Sequence, residues 1–267
     1  MEFLSNYLIL FAITIGLMTL LWGLSLLLRN SSIVDIFWGT GFVIFAWVAF
    51  FLTPGGFLAR KLLLAILVTL WGLRLSIHIL LRNWGKPEDF RYQTWREQHG
   101  KKWWWYSFFQ VFLLQGLLLT IIAAPLLAAQ MSPAPARLVV LDYIAIPLWL
   151  IGFFFELVGD WQLKSFKSDP ANKGRVLDRG VWRYTRHPNY FGDSAQWWAY
   201  YLIAASAGGW WTVFSPFLMT TLLLRVSGVS LLEKTLDSRP GYKEYSERTS
   251  EFIPWFPKKS SDNIEAN

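Results

Sequence analysis

The chain contains no cysteine in its 267 residues. That excludes disulfides, thiolate metal sites, iron–sulfur clusters and cysteine nucleophiles together. Histidine is nearly absent as well: His78, His99 and His187 lie far apart and show no ligand spacing, so no metal site is expected. Charge is sparse, with 16% of residues Asp, Glu, Lys or Arg against about 25% in a typical soluble domain. No G-x-G-x-x-G follows a strand pattern and no G-x-x-x-x-G-K-[ST] occurs, which removes the Rossmann and P-loop phosphate cradles. The net charge of +7 sits in short stretches between apolar runs rather than in a basic module, so nucleic acid is not an expected partner.

What the chain has instead is long apolar sequence: 54% hydrophobic residues and a mean hydropathy of +0.33. Crossing roughly 30 Å of hydrocarbon takes about 20 apolar residues in a helix. Seven runs approach that length: 7–28, 33–52, 62–81, 108–129, 138–158, 191–207 and 210–232. The first is preceded by a single charged side chain, Glu2, and is longer than the core of a secretory signal, which runs to about 15 residues. It reads as a retained helix. The expectation is an all-α polytopic membrane protein of about seven transmembrane helices.

Lysine and arginine test the topology independently. Of the 25 such residues, 20 fall on segments that an outside N-terminus and a cytosolic C-terminus place inside. Arg60, Lys61 and Arg137 then fall outside, and Arg74 and Arg225 fall within spans. Turn formers at 53–56, 132–135 and 208–209 suit short outer loops. Many of the 17 tryptophans cluster near span ends, among them Trp103 to Trp105, Trp210, Trp211 and Trp255, as interfacial anchors do. Three regions are expected: helices one to four over residues 1–137; helices five to seven with their loops over 138–257; and a disordered polar tail, 258–267.

Ionisable side chains near a helix centre cost at least about 2.5 kcal/mol each in a bilayer, and most face a cavity or a partner. Here they are Asp35, Arg74, His78, Glu156, Asp160, Asp193, Arg225 and Glu233. Singly, several read as caps or interfacial charges. Their spacing argues for more. Arg74 and His78 are four apart, and Glu156, Asp160, Lys164 and Lys167 follow one helical stripe, although pairing of Asp160 with Lys164 accounts for part of it. Asn189, Asp193, Gln196 and Tyr200 form a second stripe. The loop 165–188 between the stripes carries six positive charges. Cations beside carboxylates and amides suit a phosphate-bearing dinucleotide, and attraction to anionic lipid explains the same cations less specifically.

The segment Gly180-Val-Trp-Arg-Tyr-Thr-Arg-His-Pro-Asn-Tyr-Phe-Gly-Asp193 resembles the C-terminal domain of the steroid 5-alpha-reductase family, in particular its bacterial branch. The likeness continues through Arg225, Glu233, Pro240-Gly-Tyr-Lys-Glu-Tyr245 and Phe252-Ile-Pro-Trp-Phe256 and is shared with sterol C14 reductases. The resemblance implies a seven-helix reductase in a bacterial inner membrane. It would bind NADPH in a cytosol-facing cavity and reduce a conjugated carbon–carbon double bond in a steroid- or other lipid-like substrate. Carried over by position, Asn189, Asp193 and Asp160 would contact the cofactor, and Lys167, where the family has arginine, and Arg175 would lie near its phosphates. Arg74 matches an arginine of the third helix, and Arg186-His187-Pro188 would shape the turn and donate to phosphate. With Glu156, Tyr184, Arg225 and Glu233 these complete the cofactor-binding candidates.

The departure is upstream, where the steroid enzymes use a glutamate and a tyrosine to polarise an enone. This chain offers Asp35 and Trp71 there, and an indole N–H donates a hydrogen bond but no proton at neutral pH. Asp35, protonated through desolvation or holding a water, is the catalytic candidate. Two other readings stand beside this one. Membrane methyltransferases that bind S-adenosylmethionine carry a similar Arg-His-Pro-x-Tyr-x-Gly segment and a later glutamate. A non-catalytic lipid-binding or transport protein is the third, although the chain shows no internal repeat.

Overall fold

A computed structural model describes residues 2–226, 229, 233, 236 and 239–258. Every regular element among them is helical, with no strand. Five helical stretches are long and apolar enough to cross a membrane: Glu2–Leu28, Ile33–Leu52, Leu58–Asn83, Phe90–Met131 and Val140–Ser168. The protein is thus a polytopic, all-helical membrane protein. The sixth apolar run lies in the helix Pro188–Ser206, and the seventh is described as far as Val226, with Val229 beyond it. The expected tail, apart from Lys258, lies outside the described residues.

The chain divides into two compact units: Met1–Asp142 with Tyr201–Ser215, and Tyr143–Tyr200 with Pro216–Asn267. In the first, α1 (Glu2–Leu28) is apolar on every face and buries only a seam, Leu10, Thr14, Met18 and Ser25. Leu4, Leu8, Leu20 and Leu27 stay exposed, the pattern of a helix whose remaining surface meets lipid rather than water. At 27 residues it is about 40 Å long, enough to span with tilt.

α2 (Ile33–Leu52) and α3 (Leu58–Asn83) pack closely because glycine faces glycine: a Cβ at Gly72 would lie 2.5 Å from the Gly39 carbonyl oxygen. Small residues let helix backbones approach in a bilayer, where interhelical hydrogen bonds add to van der Waals contact. Such bonds run from the Thr40 hydroxyl (2.8 Å) and amide (2.9 Å) to Ser76 Oγ and from Trp47 Nε1 to Thr69 Oγ1 (2.9 Å).

The helix α3 starts earlier than the apolar run. It takes in Arg60 and Lys61, which charge counting placed in an outer loop, and both are buried. Arg60 Nε and Nη2 each donate to the Asp142 carboxylate at 3.1 Å, and Nη2 also reaches the Arg137 carbonyl at 2.9 Å. Asp142 further accepts from the Ser206 hydroxyl (2.6 Å) and from the Val139 amide (2.9 Å). Hydropathy ends a span at its first charge; a buried counter-ion lets the helix continue through it.

The stretch 84–107, expected as a basic inner loop, contains α4 (Phe90–His99), capped by Asp89, and α5 (Trp103–Ser107). A π-helical turn, Phe108–Leu113, leads into α6 (Leu114–Ile122), and Pro125 accompanies a break at Ala123 before α7 (Ala124–Met131).

The second unit is built on α8 (Val140–Ser168) and α9 (Pro188–Ser206), followed by α10 (Phe214–Thr221), a π-helical turn Leu222–Val226 and α11 (Tyr242–Arg248). Glycine again sets the approach: a Cβ at Gly192 would stand 2.5 Å from the Glu156 amide nitrogen and 2.8 Å from its Cβ. One face of α8 therefore lies against the first turns of α9.

Candidate functional site

The α8–α9 contact explains where the second unit's polar residues meet. Gly152, Glu156 and Gly159 are spaced three or four residues apart and share a helix face, with Asp160 beside it. Glycine at 159 admits Pro188, whose Cγ would lie 3.1 Å from an added Cβ, and so the start of α9 seats on α8. Asn189 Nδ2 then donates to Asp160 Oδ1 at 3.0 Å, and Gln196 Nε2 donates to Glu156 Oε2 at 2.6 Å. Glu156, Asp160, Asp193 and Gln196 are all buried. The two stripes read from the sequence thus face one another, and Tyr200, one turn on, accepts from Trp149 Nε1 at 2.9 Å.

A second cluster forms at the head of α9. Glu233 Oε1 accepts from Arg186 Nη1 (2.7 Å) and from the Tyr242 hydroxyl (3.1 Å), and stands 3.1 Å from His187 Nε2. Burial holds the His187 imidazole below its ordinary pKa, against the opposing pull of the Glu233 hydrogen bond. Burial, with the Glu233 charge added, pushes the Tyr242 phenol up to about 12. Tyr242 therefore stays a neutral donor to the carboxylate. Arg186 Nε and Gln196 Oε1 are buried with no hydrogen-bond partner among the described residues, one unfilled donor and one unfilled acceptor.

Other candidates lie at the surface of this unit. Lys167, Arg175 and Arg225 are exposed, and Tyr184 packs its ring edge-on to Phe256. Arg175 lines an open hollow of about 490 Å³ with Lys173, Gly174, Asp178 and Gly241. Both glycines have left-handed backbone, with φ of 81° and 78°, where a side chain would be strained.

Arg74 and Asp35 belong to the first unit. Arg74 is half-buried on α3. Asp35 Oδ2 accepts from Arg91 Nη2 at 2.9 Å, and Oδ1 accepts from the Tyr92 hydroxyl at 2.6 Å. Gln115 Nε2 lies 3.3 Å from the same hydroxyl, and Asp89 binds Arg91 Nε at 2.9 Å. Burial alone would raise the Asp89 carboxyl, but its bonds from Arg91 outweigh that and hold it below the ordinary range. Asp35 thus accepts hydrogen bonds at both oxygens and has a cation at one of them. Tyr92, the donor to Oδ1, is 2% exposed. Trp71 is buried against Phe42. Sequence reading passed over Tyr92 because it sits in a charged stretch taken for loop, where hydropathy gives no signal.

The chain belongs to the family described as Protein of unknown function (DUF1295), which matches residues 21–249. It is also similar to the Uncharacterized protein C594.04c of Schizosaccharomyces pombe, 26% identical over 261 residues, covering 88% of this chain and 75% of the relative. No solved structure matches.

Proposed function

We propose that this protein is a membrane-embedded, NADPH-dependent reductase of a conjugated carbon–carbon double bond in a lipid-like molecule. The observation that carries this reading is the meeting of the two stripes: Glu156 and Asp160 of α8 against Gln196 and Asn189 of α9, with Arg186 and His187 at the helix head. The resemblance of 180–193 to steroid 5-alpha-reductases supplies the chemical class. The residues fit a dinucleotide on two counts. Arg186 Nε and Gln196 Oε1 are buried and unfilled, as ligand-facing groups would be. Lys173 and Arg175 offer cations around an open hollow whose glycines admit close backbone approach.

In this reading Asn189, Asp160 and Gln196 bind ribose and amide groups, and Arg186, Arg175 and Lys173 bind phosphates. When bound, the nicotinamide supplies a hydride. Arg91 and the Tyr92 hydroxyl both bind Asp35, and Tyr92 offers the phenol that Trp71 cannot. The basic segments face the cytosol, and the proposed location is the bacterial inner membrane.

A second reading keeps the same site for S-adenosylmethionine: buried carboxylates at Glu156, Asp160 and Asp193 suit a cationic sulfonium as well as a ribose. Titrating the purified protein with NADPH and with S-adenosylmethionine decides between them. NADPH is expected to bind and, with an enone lipid added, to be oxidised with stoichiometric loss of the double bond. Binding of S-adenosylmethionine alone would overturn the reductase.

A further inference from the structure

The segment that follows α11 exposes three large apolar side chains together: Ile253 at 67%, Trp255 at 71% and Phe256 at 76%. It is not a loose strand of chain. The Arg186 amide donates to the Ser250 carbonyl at 2.9 Å, the buried Thr185 hydroxyl to the Phe252 carbonyl at 2.8 Å, and the Trp255 amide to the Tyr184 carbonyl at 2.9 Å. These bonds fix the segment's backbone along residues 184–186 and leave Ile253, Trp255 and Phe256 outward. Charge frames the patch. Arg183, next to Tyr184, and Lys258, two residues beyond Phe256, are exposed, with Glu251 the one acid of the segment. Arg248 is already neutralised by Asp178.

An aromatic–aliphatic cluster rimmed by cations, on a chain already held in a bilayer, matches the headgroup region. There Trp takes both apolar and polar contacts, and Lys and Arg meet anionic lipid. We infer that residues 250–258 are a dock for the anionic membrane surface, and that this docking holds residues 184–187, and through them the His187–Glu233 cluster, in place. The inference does not rest on the identity of the cofactor. Its substance is mechanical: the bilayer would act on the loop that enters α9.

The absence of cysteine makes the test direct. Single cysteines replace Phe256 (F256C), Trp255 (W255C) and, as a water-facing control on α11, Glu247 (E247C), each carrying a nitroxide. The full-length protein is reconstituted in bilayers of phosphatidylcholine and phosphatidylglycerol. Labels at 255 and 256 are expected to collide with oxygen far more than with a water-soluble nickel chelate, and the label at 247 to show the reverse. Pure phosphatidylcholine should make the 256 label shallower. Equal nickel accessibility at 256 and 247 would overturn the dock. Dipolar broadening between copies at 256 would overturn it too, in favour of a second copy of this chain. The coupling is read separately: Ile253→Ser with Trp255→Ser and Phe256→Ser should speed amide exchange at 185–187 several-fold, and unchanged exchange would refute that part.

Discussion

Arg60 and Asp142 provide a quantitative test of how the first unit is held. Both side chains are fully buried, and two hydrogen bonds of 3.1 Å join them. Asp142→Leu leaves the Arg60 guanidinium buried with carbonyl partners only. Removing one partner of a buried pair costs about 3–5 kcal/mol, because the remaining charge is uncompensated. The Val139 amide loses its acceptor as well, at about 1 kcal/mol or more, while the Ser206 hydroxyl keeps the Ile203 carbonyl at 2.8 Å. Against a total stability of about 5–15 kcal/mol, the single variant should lose a third or more of it. Arg60→Met should cost a similar amount. The double variant, Arg60→Met with Asp142→Leu, should recover most of the loss, since two well-packed apolar groups are often neutral against an ion pair. Unfolding by SDS titration in mixed micelles, followed by circular dichroism, gives all three values. Single losses under about 1 kcal/mol, or a double loss equal to the sum of the singles, would show that the pair does not hold the unit.

Three further outcomes follow from the same geometry. Gly192→Ala forces a methyl against Glu156 and should destabilise by about 1–3 kcal/mol or more while separating the two stripes; Gly23→Ala, with nothing within 4 Å, should be near neutral, both read as thermal midpoints. His187 binds its proton less readily folded than unfolded, so the unfolded state takes up more protons as pH falls below about 6.5. Stability should therefore be greatest above that pH, fall on acidification and level off once the folded imidazole also protonates, and His187→Gln should flatten the profile. Tyr92→Phe removes the 2.6 Å bond to Asp35 and should slow turnover by about 10²-fold or more while leaving nucleotide affinity unchanged; unchanged turnover would remove Tyr92 from the chemistry.

Which parts of this molecule were legible in its sequence follows from the range of each interaction. The membrane helices were, because α1 carries its solvent preference on every face. So were the facing stripes: helical spacing alone puts Glu156 near Asp160 and Asn189 near Gln196 on common faces. Arg60 was misplaced because its partner Asp142 lies 82 residues away, and no local window holds both. The Tyr92–Asp35 bond was hidden for the same reason, its partners being 57 residues apart and Tyr92 inside a polar stretch. Gly152 and Gly192 look inert within apolar runs; only their mutual approach gives them meaning. The 29–32 turn and the short helix α4 depend on bonds such as Ser31 N–H to Glu88 (2.5 Å) and Arg96 to both Glu88 oxygens (2.9 Å), again between distant segments.

The central claim is that Asn189 and Asp160 form part of one nucleotide site. Isothermal titration of the Asn189→Ala protein with NADPH, beside the parent and Gly23→Ala, tests it most directly. The account predicts that Asn189→Ala folds as the parent does and loses at least about tenfold in affinity, the loss of one hydrogen bond near 1.4 kcal/mol. Affinity equal to the parent's, in a protein of unchanged thermal midpoint, would contradict it.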